Sequence, residues 1–259
     1  MNRRPVIASL TLAMPLAVLT ACSSSSPSSS PPPAAPSHTP AASPTPSPVA
    51  YTYHTIKPSS FTDHITNPYM LWKPGTTYIF NGTRDGKPMR IEVTVTKQTK
   101  VIMGVKCLVI RDIVTGALQE QTTDWYAQDA KGNVWYFGED TKELTNGVVT
   151  STQGTWEAGV NGALPGIVMY AHPKPGKPYL QEYRPGIAED MAQVVQTGLS
   201  VKVPAGSFSN VIVTKDTDPL NPSKLEYKSY APGAGMVKST GVVNGHKEVL
   251  QLAQILKAR

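Results

Sequence analysis

Residues 23–50 set the first limit on what this 259-residue chain can fold into. Of those 28 residues, 26 are Ser, Pro, Ala or Thr, and none is Lys, Arg, Asp or Glu. A segment so poor in large apolar side chains buries too little surface to offset its chain entropy. Its prolines favour an extended spacer, rising about 3.1 Å per residue where it is polyproline-like. The sequence therefore predicts a disordered tether after Cys22, over 22–50, rather than a packed element. A stalk through a cell wall, O-glycosylated on Ser or Thr, and a plain linker fit this composition equally. At Tyr51 the composition changes, and aromatic residues, Val, Ile and charge appear together. Residues 51–259 suffice for a sizeable core and read as a single β-rich domain without a 20–50-residue repeat.

Ahead of the tether, Arg3 and Arg4 give a basic start, and residues 5–20 are uncharged. That is the pattern of a secretory signal over 1–21. The uncharged run is shorter than the roughly 20 apolar residues of a bilayer span, and Pro5 and Pro15 interrupt it. Leu19-Thr20-Ala21-Cys22 resembles the bacterial lipobox. The resemblance implies cleavage before Cys22, a diacylglycerol thioether on its sulfur, and a chain held at the outer face of the cell membrane. Two or more acyl chains give lasting attachment, at about 0.8 kcal/mol per buried CH₂. An ordinary signal peptide with an incidental cysteine is the alternative.

All 18 acidic residues lie beyond the tether; removing Arg3 and Arg4 from a formal +6 leaves a mature charge of +4. The excess is mild, and no Lys/Arg cluster with interleaved aromatics occurs, which argues against nucleic acid as a partner. With Cys22 committed to lipid, Cys107 has no disulfide partner. Its setting in Val105-Lys106-Cys107-Leu108-Val109-Ile110 reads as a small buried core residue.

Residues 75–80, 90–96, 105–114, 121–128 and 134–137 read as short strands, several with period-two alternation. Asn81-Gly82 is a turn signal. The strand over 105–114 reads as interrupted at Arg111-Asp112. Lys131-Gly132-Asn133 joins two strands as a hairpin. Residues 140–190 are broken by glycines and prolines into one long irregular region, with a single helical turn expected near 188–193. Strands resume over 192–197, 200–203, 211–215, 224–230, 236–239 and 247–254. The fold class is all-β: a curved antiparallel meander, either half-barrel or open barrel.

Ser200-Val-Lys-Val-Pro-Ala-Gly206 with Asn210-Val211, followed by Tyr230-Ala-Pro-Gly-Ala-Gly-Met-Val237, resembles a pattern of uncharacterised bacterial secreted proteins and lipoproteins. Ile65-Thr-Asn-Pro-Tyr69, Pro74-Gly-Thr-Thr-Tyr78, Asp124-Trp-Tyr-Ala-Gln-Asp129 and Gly132-Asn-Val-Trp-Tyr-Phe-Gly-Glu139 are similar to the same group. The resemblance implies a curved sheet like that of envelope lipid-carrier lipoproteins, and no reaction.

Trp125 and Tyr126 point to opposite faces of a strand, as do Trp135 and Tyr136, so one aromatic from each strand faces a concave side. The favoured reading is non-enzymatic: a lipid or other apolar small ligand held near Trp125, Trp135, Trp156 and Tyr170, by a monomer with no cofactor. A structural or protein-interaction lipoprotein without a pocket is the alternative. A glycan hydrolase using Asp124 with Glu139, or Glu182 with Glu189, is a third reading. Asp129-Ala-Lys-Gly-Asn133 departs from the calcium-loop pattern and reads as a tight turn. The five histidines show no metal spacing.

Overall fold

The structure is a computed structural model that describes Tyr51 and residues 55–257. The signal sequence, Cys22 and the tether expected over 22–50 lie outside the described residues.

A short 3₁₀ turn at Pro58–Ser60 leads into β1 (Phe61–Thr62), and a second one spans Pro68–Met70. A first meander follows: β2 (Thr77–Arg84), β3 (Lys87–Ile102), β4 (Val105–Gly116), β5 (Glu120–Asp129) and β6 (Val134–Thr145). The irregular region holds five strands of six residues or fewer: β7 (Val148–Ser151), β8 (Trp156–Glu157), β9 (Leu164–Met169), β10 (Tyr179–Leu180) and β11 (Glu182–Tyr183). A second meander closes the chain: β12 (Met191–Val203), β13 (Gly206–Asp218), β14 (Asn221–Ala231), β15 (Gly235–Val243) and β16 (His246–Leu256). Among the described residues there is no α-helix.

All sixteen strands form one antiparallel sheet, ordered β10-β12-β13-β14-β15-β16-β2-β3-β4-β5-β6-β9-β11, with β1, β7 and β8 pairing to the side. The two meanders are joined at one ladder, β16 to β2. No ladder joins the end strands β10 and β11, so the sheet is open, as the sequence pattern predicts. Those end strands are nonetheless separated in the chain by Gln181 alone.

The hairpins have a local cause. Asp85-Gly86, Met103-Gly104, Asn146-Gly147 and Asn244-Gly245 all have both residues at positive φ, near +50° and +78°. That is the two-residue turn whose twist suits antiparallel strands.

Three local expectations are corrected. Asn81-Gly82 is not a turn; both residues sit inside β2, with Gly82 opposite Met89 on one side and Leu250 on the other. A Cβ at Gly82 would lie 1.8 Å from the Val249 carbonyl oxygen, so the glycine serves close approach of β16. Arg111-Asp112 does not break β4, which runs through both. Residues 188–193 make no helical turn: Ala188 bridges to Arg184, and β12 begins at Met191. The two short strands expected over 192–203 are one strand, with irregular register between Val194 and Val201.

The start of β6 is buried on both faces. Phe61 meets Trp135 and Phe137 edge-on at ring separations of 5.8 and 5.5 Å. On the other face Tyr126 stacks on Tyr136 at 4.4 Å, and Trp156 meets Tyr136 edge-on at 5.4 Å. Cys107 is fully buried, and burial pushes its thiol up to about 12, which keeps it an inert core residue.

Candidate functional site

The two meanders line a partly open cavity of about 230 Å³. The first meander contributes Tyr78, Phe80, Val93, Ile110, Asp112, Asp124 and Tyr126, and the second contributes Lys228, Tyr230, Gly235 and Met236. Met70 and Trp72 complete one wall.

That wall is fixed by Asn67. Its Nδ2 donates to the carbonyls of Gly132 (2.9 Å) and Tyr170 (3.0 Å), and its Oδ1 accepts from Tyr69 N (2.9 Å). Gln128 Oε1 accepts from both Thr66 N and Asn67 N at 2.8 Å. Gly233 N then donates to Pro68 O at 2.8 Å, which ties the wall to the β14–β15 turn. Tyr78 donates to Leu71 O at 2.7 Å and holds the chain just before Trp72. The segments 65–69, 124–139 and 230–237 therefore meet around one cavity.

Strand alternation explains the polar floor. Ile110, Asp112 and Val114 share one face of β4, and their ladder partners on β5 are Asp124, Thr122 and Glu120. Asp124 in turn faces Glu139 on β6, and Glu139 faces Trp156 on β8. A row of carboxyl groups thus occupies positions that period-two logic assigns to core.

Water exclusion dominates their chemistry. Burial pushes Asp124 up to about 7, against the pull of the 2.5 Å hydrogen bond it accepts from the Tyr136 hydroxyl. Burial, reinforced by Asp124 and Glu120, holds Asp112 well above the carboxylate range. Glu139 is raised by burial and by Glu182 and Asp124. Glu182 rises to about 8 through burial and Asp190, although Trp156 Nε1 donates to it at 2.8 Å. Burial therefore favours the protonated form of all four acids.

Lys228 stands on the opposite wall. Its ammonium lies 3.0 Å from Asp216 Oδ2 and 3.2 Å from Glu226 Oε2. Burial alone would lower Lys228, but Glu226 and Asp216 outweigh it and hold the side chain charged. Ser239 donates to Glu226. Asp112 Oδ1, the Tyr179 hydroxyl, Thr214 Oγ1 and Asp216 Oδ1 are sealed from solvent with no hydrogen-bond partner among the described residues. Buried polar atoms without partners are uncommon in folded proteins.

Of the four residues expected around a ligand, none lines this cavity. Trp125 lies on the opposite face, with Lys100 Nζ 3.6 Å above its ring. Trp135 is on that face too and donates to Asp129 at 3.0 Å. Trp156 is on the cavity side but behind Tyr136. Tyr170 meets Tyr179 edge-on at 4.7 Å. The aromatics that turn inward from the same strands are Tyr126 and Tyr136. Of the carboxylate pairs considered, Asp124 and Glu139 are cross-strand neighbours. Glu182 is buried, while Glu189 caps an exposed turn at Gly186 N. Asp129 spends both oxygens on the N–H groups of Lys131, Asn133 and Trp135, as a tight turn requires. Among the described residues, no group of three His, Cys, Asp or Glu side chains is arranged to hold a metal.

Asp112, Trp72 and Lys228 were not singled out by the sequence reading. Asp112 carried a signal: it shares the strand parity of Ile110 and Val114 inside an apolar run.

No family model and no curated protein matches the chain. Two solved structures are similar in part. One is described as an exported protein with a YmcC-like fold, from Bacteroides fragilis; it is 17% identical with a TM-score of 0.41, over 71% of this chain and 97% of that one. The other is described as a lipoprotein from Parabacteroides distasonis, 10% identical with a TM-score of 0.38, over 71% and 96%.

Proposed function

We propose that this chain is a lipid-anchored extracytoplasmic binding protein, without catalytic activity, whose cavity takes a small amphipathic molecule. The lipobox resemblance at Cys22 supports the anchor. The cavity supports the ligand, and the observation that carries this reading is its lining, which sets Asp112 and Asp124 among the rings of Trp72, Tyr78, Tyr126 and Tyr230. Ligand sites commonly combine apolar walls with a few convergent polar groups. Size narrows the guest. The cavity is larger than the roughly 150 Å³ that holds a benzene, and smaller than the roughly 300–1,000 Å³ of drug-sized sites. A compact molecule fits within it.

Native mass spectrometry of the purified full chain tests both halves. The wild type is expected to carry a diacylglycerol mass on Cys22 that is missing from Cys22→Ser. It is also expected to hold a small-molecule adduct, directly or after exposure to envelope extract. Ala234 is 3% exposed and lines the cavity, so Ala234→Phe should fill it and abolish the adduct. A wild-type mass without lipid sinks the anchor, and a wild type that takes up nothing counts against the binding reading.

A further inference from the structure

We infer that the ligand is a small organic cation, an ammonium compound seated among aromatic rings above paired carboxyl groups. The inference rests on the cavity being a ligand site and names the class of its guest.

Three observations converge. First, the lining is rich in rings: Trp72 meets Tyr126 edge-on at 4.5 Å, and Tyr78, Phe80 and Tyr230 face the same space. Ring faces are electron-rich and attract ammonium groups within about 6 Å, most strongly where water is excluded. Second, Asp112 and Asp124 both line the same cavity beside those rings. Carboxyl groups beside ring faces suit an N–H donor or a positive charge. Third, the one cationic side chain in the lining does not oppose this. Lys228 is matched by two carboxylates, Asp216 and Glu226, which lie outside the lining and draw its ammonium to their side.

Glu120 on β5 and Glu139 on β6 stand beside the two aspartates, both raised by burial, and Lys228 is the counter-charge across the cavity. A bound cation stabilises the ionised form of both aspartates, so its binding releases protons.

The test uses isothermal titration calorimetry on the full chain in a neutral maltoside detergent at pH 8, above the ionisation of Asp124 at about 7. The probes are choline, its uncharged isostere 3,3-dimethyl-1-butanol, and the anion 3,3-dimethylbutanoate. Choline is expected to bind about tenfold or more tightly than the isostere, as a charge-assisted contact in a dry site would give. Asp112→Asn, which keeps shape, should remove about tenfold of choline affinity and leave the isostere unchanged. Trp72→Leu should weaken choline by a smaller factor, about three- to fivefold. If the isostere binds as tightly as choline, or the anion binds best, the cation assignment is overturned and the small-ligand reading stands. If none of the three binds at millimolar concentration, both are overturned.

Discussion

Gly82→Ala is expected to destabilise the domain by about 3 kcal/mol or more, a large effect for adding one methyl group. The reason is contact, not backbone strain. Gly82 is absent from the positive-φ glycines, so alanine suits its backbone. Its added Cβ would instead lie 1.8 Å from the Val249 carbonyl oxygen, 2.8 Å from the carbonyl carbon and 3.0 Å from Leu250 Cα. All three are backbone atoms of β16, and none can move without opening the β16–β2 ladder. That ladder is the one that joins the two meanders. The cavity draws its walls from both, so loosening the seam should also weaken ligand binding. Gly86 is the control: it has a positive φ of 76° and nothing within 4 Å of its Cβ position. Gly86→Ala should cost about 1 kcal/mol, as a left-handed alanine does. Urea unfolding of the two variants measures the difference; equal, small losses would contradict the seam.

Stability is also expected to fall as pH rises from about 4.5 to about 8. Asp124 has an ordinary value of 3.8 and is raised to about 7, and Glu182 has an ordinary value of 4.5 and is raised to about 8. Asp112 and Glu139 shift in the same direction. In each case the folded state binds the proton more tightly than the unfolded chain does. Below the unfolded value both states are protonated and nothing is lost. Between the unfolded and folded values the unfolded chain has released its proton and the fold has not, so folding is penalised by up to about 1.4 kcal/mol per pH unit for each group. Above the folded value the full cost is present and stays constant. Thermal unfolding should therefore give a higher midpoint near pH 5 than near pH 8. Glu182→Gln and Asp124→Asn should each flatten the profile. Glu226 runs the other way: Lys228 and the hydrogen bond from Ser239 outweigh burial and lower it, so its contribution is lost only in stronger acid. A midpoint that climbs steadily from pH 5 to pH 8 would contradict the buried acid row.

Most of the strands were legible because their cause is local. Alternation along 90–96 and 121–128 marks half-buried strands, and Asp85-Gly86, Asn146-Gly147 and Asn244-Gly245 have the composition of tight hairpin turns. Met103-Gly104 makes the same turn with a methionine at φ +50°, which no composition rule would suggest. The place of β16 beside β2 was not legible, since pairing between strands more than 160 residues apart leaves no local trace. Asn81-Gly82 was misread for the same reason: the glycine answers to a distant neighbour, not to its own turn. The site was half legible. The aromatics of β5 and β6 were found, but the tryptophans drew attention away from the inward tyrosines. The polar residues that matter most, Asp112 and Lys228, lie in strands where a charged side chain reads as an interruption or as surface. Only the ladder shows that both turn into the same cavity.

The chain has four tryptophans, and they divide the possibilities cleanly. Trp72 lines the cavity, Trp156 lies behind Tyr136, and Trp125 and Trp135 face away. Indole ¹⁵N–¹H resonances, followed while the full chain is titrated with a small ammonium ligand, test the cavity most directly. The expected result is a large shift of the Trp72 signal, a small one for Trp156, and none for Trp125 or Trp135. Shifts at Trp125 and Trp135 with Trp72 unmoved, or no shift at any indole, would contradict a ligand site between the two meanders.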